Sequence, residues 1–363
     1  MFSIFSQVHS QGKPKDIIIE NNPEMVDVGI SEIASSIKYI PLETVKGSYL
    51  NSISQMLFID EDIVILDKSR ELIVIFSSEG KYIKSIKTVG KGPQEYIRIN
   101  NIYCYKGQLT LYDRSLKKII VYDKEYNFLE AFELKNQIIR LHHASNSFIG
   151  YNHPPNNWAT DSYRVIVFDE TMNEISRLHK MEIGSISEDP VSVNSYVLDD
   201  TLVVWNSNST MVYQYKGKNE SVRFRINYDK KIHPEILNSV VMNGSDNSNL
   251  ILIDFIETKD MLFLDLVKNR RMVMAVYDFL TKSMIYLDSN RMIAGFTDDL
   301  YDVCRIWPIG KISDKIVWDQ VSNTDLSNIL KYNKDYVPSQ KFSELKKTTD
   351  LSSNPILIIV NLK

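Results

Sequence analysis

The sequence predicts an all-β chain folded as a six-bladed β-propeller, and three observations carry that expectation. One pattern occurs twice without a gap: Asp62–Ile86 lies on Gln108–Phe132 at an offset of 46 residues, with Asp67 on Asp113 and Ser69 on Ser115. The repeated apolar runs are short, rich in Val, Ile, Tyr and Phe, and punctuated by Asp, Ser, Gly or Lys. Such runs suit a half-buried pleated surface and are too short for buried helices of ordinary length. Finally, a period in the forties with several strands per unit is the spacing of propeller blades, whose small sheets bury their faces by stacking on neighbours.

Taken in order, residues 1–15 are expected to be disordered or processed, and residues 16–363 to form one propeller domain. Met1–Val8 is apolar but lacks a basic n-region and a full h-region. It reads as the tail of a truncated export signal or as a frayed terminus. Asp16–Glu20 and Ser36–Thr44 are strand candidates ahead of the first complete blade. Residues 52–90 read as four strands, roughly 53–59, 62–67, 72–77 and 81–87, and residues 97–134 repeat that plan. Asp67 and Asp113 close second strands just before a turn. A carboxylate there accepts backbone N–H bonds, so turn-making is the expected role.

The third unit is looser, with Val165–Asp169 standing 46 residues after Ile119–Asp123. A fourth runs from about 191 to 228, and residues 229–249 break the rhythm, with a short helix expected within 229–240. The fifth unit starts at Leu250. In the sixth, Val303–Ile306 and Lys315–Trp318 read as strands, 323–348 as helical, and 355–362 as a last strand. An open ring would expose two sheet edges with free N–H and C=O groups. A strand from 16–20 or 36–42 is therefore expected to pair with 355–362.

With 363 residues, 44% of them hydrophobic, the chain can bury a large core. Its formal charge of −4 and its scattered basic residues leave no electrostatic footprint for nucleic acid. No run of eighteen apolar residues is present, so no transmembrane helix is expected. Cys104 and Cys304 lie in apolar surroundings, outside any CxxC or Cys/His spacing, and are expected to be reduced and largely buried.

Four segments carry a family resemblance: Ile40-Pro-Leu-Glu-Thr44, Gly90-Lys-Gly-Pro-Gln-Glu-Tyr96, Phe296-Thr-Asp-Asp299 followed by Ile306-Trp-Pro308, and Asn354-Pro-Ile-Leu-Ile358. With them the chain resembles the exported six-bladed β-propeller proteins of Bacteroides-type bacteria, distant relatives of NHL-repeat propellers. The resemblance spans nearly the whole chain and implies the fold and an extracytoplasmic location, in the periplasm or at the cell surface. It implies no activity, since the family has none generally assigned. Members usually carry a secretory or lipoprotein signal, and this chain has no lipobox cysteine near its start.

Candidate site residues fall in three places. In the Gly90–Tyr96 segment, Gly90 and Gly92 can take φ > 0, so backbone N–H groups with Lys91, Gln94, Glu95 and Tyr96 could form an anion-binding nest. The competing and favoured reading is a structural crossover between blades. Asn156, Asn157 and Trp158 pair an aromatic face with amides, as a glycan- or peptide-binding surface does, and Trp307 before Pro308 has the same character. Trp205 and Trp318 sit inside strands and read as core. His142 and His143, being adjacent on a strand, point to opposite faces and cannot both hold one ion. The acidic group Asp298, Asp299 and Asp302 lacks regular calcium-loop spacing and reads as a solvated loop.

No catalytic motif is recognisable. The expected function is a non-catalytic binding or scaffold module holding a glycan, peptide or partner protein at one loop face or at the central mouth. The alternative is a metal-dependent hydrolase or lyase of lactonase type, with a divalent cation on the axis. No cofactor is expected under the first reading, and a divalent cation such as calcium under the second.

Overall fold

In the computed structural model, which describes residues 15–135, 138–144, 146–151, 163–180, 193–206, 209–229, 248–287, 295–333, 335–350 and 352–363, the repeat unit is a small antiparallel sheet. The first blade is β4 (Gln55–Ile59), β5 (Asp62–Asp67), β6 (Leu72–Phe76) and β7 (Tyr82–Ile86). The second is β8 (Ile99–Tyr105), β9 (Gln108–Asp113), β10 (Lys118–Tyr122) and β11 (Phe128–Glu133). The third is β12 (Arg140–Ala144), β13 (Ser147–Tyr151), β14 (Tyr163–Phe168) and β15 (Glu174–Lys180). The fourth is β16 (Val193–Leu198), β17 (Thr201–Asn206), β18 (Met211–Lys216) and β19 (Asn219–Tyr228). The fifth is β20 (Ile251–Glu257), β21 (Met261–Lys268), β22 (Arg271–Asp278) and β23 (Met284–Leu287). First strands touch first strands all the way round, β24 (Gly310–Ser313) of the sixth blade meeting β4. They line a central channel.

The middle strands are apolar on both faces because each sheet is sandwiched between two others. On β5, Ile63 and Ile65 pack towards the sixth blade while Val64 and Leu66 pack towards the second. On β10, Ile120 and Tyr122 face the first blade, and Ile119 and Val121 face the third. Six apolar clusters result, one for each junction between blades.

The repeated aspartates make turns, as expected. Asp67 accepts the N–H groups of Asn51, Ser52 and Ser69 at 2.6, 3.2 and 3.0 Å. Asp113 accepts those of Ile97, Arg98, Ser115 and Leu116 at 2.5–3.2 Å. Each carboxylate thus ties its own turn to the strand arriving from the previous blade.

The sixth blade closes the ring. It runs β24, β25 (Ile316–Val321), β26 (Ile356–Leu362) and β3 (Ala34–Pro41), and β3 pairs antiparallel with β26 from Ile356↔Pro41 to Leu362↔Ala34. Asn354 secures the seam: its Nδ2 donates to the Glu43 and Ser48 carbonyls, its Oδ1 accepts the Leu50 N–H, and its own N–H donates to Thr44 Oγ1. The segments Ile40–Thr44 and Asn354–Ile358 therefore meet at the closure.

The other N-terminal candidate goes elsewhere. β1 (Lys15–Ile19) adds in parallel to β19 on the fourth blade, and β2 (Met25–Val26) adds in parallel to β23 on the fifth. The N-terminal segment thus straps the outer edges of three successive blades. Among the described residues, two helices, α1 (Asn323–Tyr332) and α2 (Gln340–Thr348), fall inside 323–348 between β25 and β26. Much of 229–240 lies outside the described residues.

Two expectations need correction. The inner strand of the sixth blade is Gly310–Ser313, not Val303–Ile306, of which Ile306 forms only an isolated bridge to Phe296. A four-residue strand holding Gly and Lys carries little β signal of its own and is held by pairing to β25. Cys104 is exposed and Cys304 half-buried, both as free thiols. Cys104 sits one residue before the end of its strand, and strand ends meet solvent whatever their sequence neighbours.

β26 buries Ile356, Leu357, Ile358, Ile359, Val360 and Leu362. At ~1.5–3 kcal/mol per side chain, the six contribute about 9–18 kcal/mol, the size of an ordinary domain's whole stability. Deleting residues 356–363 should therefore abolish cooperative melting, whereas deleting residues 1–19 should lower the melting temperature and leave one transition. A chain lacking 356–363 that melts with the full-length protein would disprove the closure. In native labelling near pH 8, a maleimide should modify Cys104 before Cys304, whose thiol pKa is raised by burial and then by Asp319 and Asp298. Equal rates would contradict this.

Candidate functional site

Strand direction alternates within a blade, so the starts of the inner strands, the second-to-third strand turns and the crossovers between blades share one face of the ring. On that face the inner strands are clasped by side chains. Gln55 Nε2 donates to the Ile102 carbonyl and its Oε1 accepts the Ile102 N–H, at 2.5 and 3.0 Å. Asn101 does the same for Leu141, at 2.8 and 3.3 Å. Each side-chain amide stands in for a strand peptide between sheets that are not otherwise hydrogen-bonded. His142 Nε2 meets Ser195 Oγ at 3.0 Å, and Asn194 Nδ2 donates to the Phe255 carbonyl and to Asp254 Oδ1 at 2.6 and 2.7 Å.

Inside this ring of clasps lies a charged group. Arg140 opens β12, Lys68 stands in the β5–β6 turn with its N–H on Ser54 Oγ, and Asp254 and Asp265 face each other across β20 and β21. Asp254 is exposed to solvent, yet surrounding walls raise its carboxyl pKa, with the hydrogen bonds from Phe255 and Asn194 and the charge of Arg140 opposing. A side chain that water reaches but protein surrounds lies in a concavity. Burial lowers the pKa of Arg140, with Asp254 opposing. Desolvation and then the charge of Arg140 lower that of Lys68, although its side chain stays accessible. Burial pushes Asp265 up to about 6, with Asp254 adding to the rise and the Trp307 hydrogen bond opposing it. Burial takes His142 down to about 3, with Arg140 second, so its imidazole is neutral. Among the described residues, Arg140 donates no hydrogen bond and joins no ion pair.

The Gly90–Tyr96 crossover sits on the same face but is closed upon itself. Glu95 Oε2 accepts the Gly92 N–H at 2.7 Å, and a Cβ on Gly90 would lie 2.1 Å from that oxygen. The protein's own carboxylate thus occupies the turn where an anion nest was expected. The two glycines are needed for its close approach rather than for positive φ, which neither adopts. Lys118 Nζ donates to the Gly92 and Glu95 carbonyls, both at 2.7 Å, and Tyr96, fully buried, donates from its hydroxyl to the Glu71 and Ile86 carbonyls. Lys91 and Gln94 remain exposed.

Trp307 is buried between Phe296 and Phe263, and its Nε1 donates to Asp265 Oδ1 at 2.6 Å. Trp205 and Trp318 are core, as expected. Asn156, Asn157, Trp158 and His153 lie outside the described residues. His142 and His143 do face opposite ways, the first to Ser195 and the second to Tyr105 and Phe148. Asp298 is buried rather than solvated: it accepts the N–H groups of Leu300, Tyr301 and Val303 and the Tyr39 hydroxyl. Asp299 turns to Ser31 instead. Among the described residues, no three His, Cys, Asp or Glu side chains gather to hold a metal ion.

Sequence reasoning passed over Arg140, Lys68, Asn194, Asp254 and Asp265. A usable signal existed for the two aspartates, each flanked on both sides by apolar residues within its strand.

The raised pKa of Asp265 has a measurable consequence. Against the ordinary carboxylate value near 4, the stability it contributes is full below about pH 4 and is lost as pH rises through about 6. Asp265→Asn keeps an oxygen for Trp307 and removes the titration. The fall in melting temperature from about pH 4 to 7 should therefore be shallower in the variant. An unchanged profile would show that Asp265 does not titrate in that window.

Among solved structures, the chain is similar to a candidate exported protein from Bacteroides fragilis, with 18% identity, a TM-score of 0.77, and coverage of 96% of this chain and 100% of that one. It is also similar to a DUF4221 family member from Bacteroides vulgatus, with 10% identity, a TM-score of 0.55, and coverage of 91% and 97%. These likenesses support the propeller fold. No curated protein matches the chain. The model of the domain of unknown function DUF4934 matches residues 16–361, and the chain belongs to that family.

Proposed function

We propose that this protein is an extracytoplasmic, non-catalytic binding module whose ligand enters the central mouth on the face carrying Arg140 and Lys68. The observation that carries this reading is Arg140. A guanidinium presents five N–H donors, and a half-buried one is normally paired. Here it is held at the start of an inner strand and donates to nothing among the described residues. A charge kept desolvated and unpaired in a concavity is an arrangement that stability does not explain, whereas a ligand's acceptor atoms would complete it. The exposed Lys91 and Gln94 lie on the same face and would serve as rim contacts, while Tyr96 and Trp307 support the rim from beneath. The extracytoplasmic placement rests on the family resemblance and on the similarity to a candidate exported protein.

The test is a binding screen of purified protein against glycans, peptides and cell-envelope extracts, repeated with Arg140→Met. Losing a charged hydrogen-bond donor costs about 1.5–3 kcal/mol, so affinity should fall roughly ten- to a hundredfold. The variant should keep the wild-type melting temperature or exceed it, because a desolvated cation has been removed. A ligand bound equally well by the variant would place binding away from the mouth, and turnover of a bound compound would refute the non-catalytic assignment.

A further inference from the structure

Basic residues that lie scattered in the sequence are gathered by the fold. On the face that carries the mouth, the first two blades present the turns 68–71 and 114–117 and the crossover 87–98 that runs between them. These segments hold seven basic residues, Lys68, Arg70, Lys87, Lys91, Arg98, Arg114 and Lys117, against two acidic ones, Glu71 and Glu95. At the other ends of the same strands, the turns 60–61, 77–81, 106–107 and 123–127 hold five acidic residues against three lysines. The two blades are therefore polarised, within a chain whose formal charge is −4.

Hydrogen bonds join the three basic segments into one surface. Glu71 Oε2 accepts the Ile99 N–H at 2.8 Å and the Glu71 carbonyl accepts the Tyr96 hydroxyl at 2.9 Å, which fixes the first turn to the crossover. Lys118, next to the second turn, donates from Nζ to the Gly92 and Glu95 carbonyls at 2.7 Å each. Both carboxylates of this surface are held by backbone, Glu71 by Ile99 and Glu95 by the Gly92 N–H. Arg98 stands 3.7 Å from Glu71 with its side chain 73% exposed, a pair that water screens. Among the described residues the other six cations join no ion pair, and Arg114 keeps a buried Nε that donates to nothing. Arg70 donates to the Tyr49 carbonyl and lies over the exposed Tyr49 ring at 5.5 Å. Ile97, beside Arg98, is exposed as well.

We infer that this surface docks a linear acidic polysaccharide, a chain of uronate or sulfated sugars laid along the crossover between the first two blades. It goes beyond the proposed mouth, which it adjoins through Lys68 and Lys91. The cations are spread over two blades rather than drawn to one point, as a single phosphate would require. Lys68 and Arg114 hold equivalent turn positions 46 residues apart, so positive charge repeats from blade to blade, as negative charge does along a polymer. Arginine takes a carboxylate or sulfate through two parallel hydrogen bonds. A stiff sugar chain loses less conformational freedom on binding than an acidic peptide of equal charge. Tyr49 and Ile97 add apolar area for the C–H faces of sugar rings.

The experiment is calorimetric titration of the full-length protein with polygalacturonate, heparin, polyglutamate, duplex DNA and neutral dextran, at low and at near-physiological salt. Polygalacturonate or heparin should bind, more weakly as salt rises, and the tighter of the two identifies the anion. Dextran should not bind. Lys87→Glu combined with Lys91→Glu should weaken binding about tenfold or more and leave the melting temperature unchanged, since both side chains are exposed and outside strands. Arg98→Gln gives the same readout if the double variant folds poorly. Lys124→Glu, at the other end of the strands, should leave binding as it was. Binding lost with the Lys87 and Lys91 reversals but kept in Arg140→Met sustains this surface and counts against the mouth. Binding lost in Arg140→Met that ignores the reversals overturns this surface and leaves the mouth standing. If polyglutamate or DNA binds as tightly as the polysaccharides, the ligand class is overturned. If no polyanion binds, or Lys124→Glu weakens binding as much as the reversals do, the surface itself is refuted.

Discussion

No blade in this protein can stand alone. Its middle strands are apolar on both faces, so each sheet needs two neighbours to bury what it presents. Ile63, Val64, Ile65 and Leu66 are all fully buried, yet alternate members pack into different junctions. A linear stack would leave two such faces in water, each costing roughly 25 cal/mol per Å² of apolar area exposed. Ring closure is therefore a requirement imposed by composition. The pairing of β3, the third strand of the described chain, with β26, its last, meets it.

The remaining devices follow from that requirement. Packing between blades is non-directional and cannot by itself set the register of one sheet against the next. The amides of Gln55 and Asn101 supply direction, each fixing one peptide of the following blade in both donor and acceptor senses. Asp67 and Asp113 do so at the crossovers. The strap formed by β1 and β2 covers outer edges on the fourth and fifth blades, where unpaired N–H and C=O groups would otherwise face solvent.

The architecture was legible because local sequence carries it. Strand periodicity and turn aspartates are short-range signals, and the 46-residue offset places Asp67 and Asp113 in equivalent turns and β5 and β9 in equivalent strands. The closure was legible for a different reason: an unpaired apolar strand at each end has few places to go. The destination of β1 was not, since a parallel edge addition to β19, more than 200 residues away, leaves no mark in the strand that receives it. Gly310–Ser313 was hidden because its pairing, not its composition, makes it a strand. The Gly90–Gly92 turn was read correctly as a crossover, but the partner of its glycines, Glu95, was taken for a ligand contact.

The charged mouth was illegible for a geometric reason. Lys68, Arg140, Asp254 and Asp265 come from three alternate blades, and only ring closure brings them to one axis. In sequence each is one charge among 88 ionisable Asp, Glu, Lys and Arg residues. What marks them is a local conflict: Asp254 and Asp265 interrupt apolar strand runs in which every neighbouring junction would gain from another hydrophobic residue. Asn194 and Trp307 beside them give each carboxylate one fixed oxygen, and among the described residues the other accepts nothing. Among the described residues, Arg140 donates no hydrogen bond, and Asp254 and Asp265 each accept through one oxygen, on inner parts of two alternate blades that ring closure brings to one axis. Charge set into strands that packing alone would fill with hydrophobic residues is the physical ground on which the proposed binding role of the mouth rests.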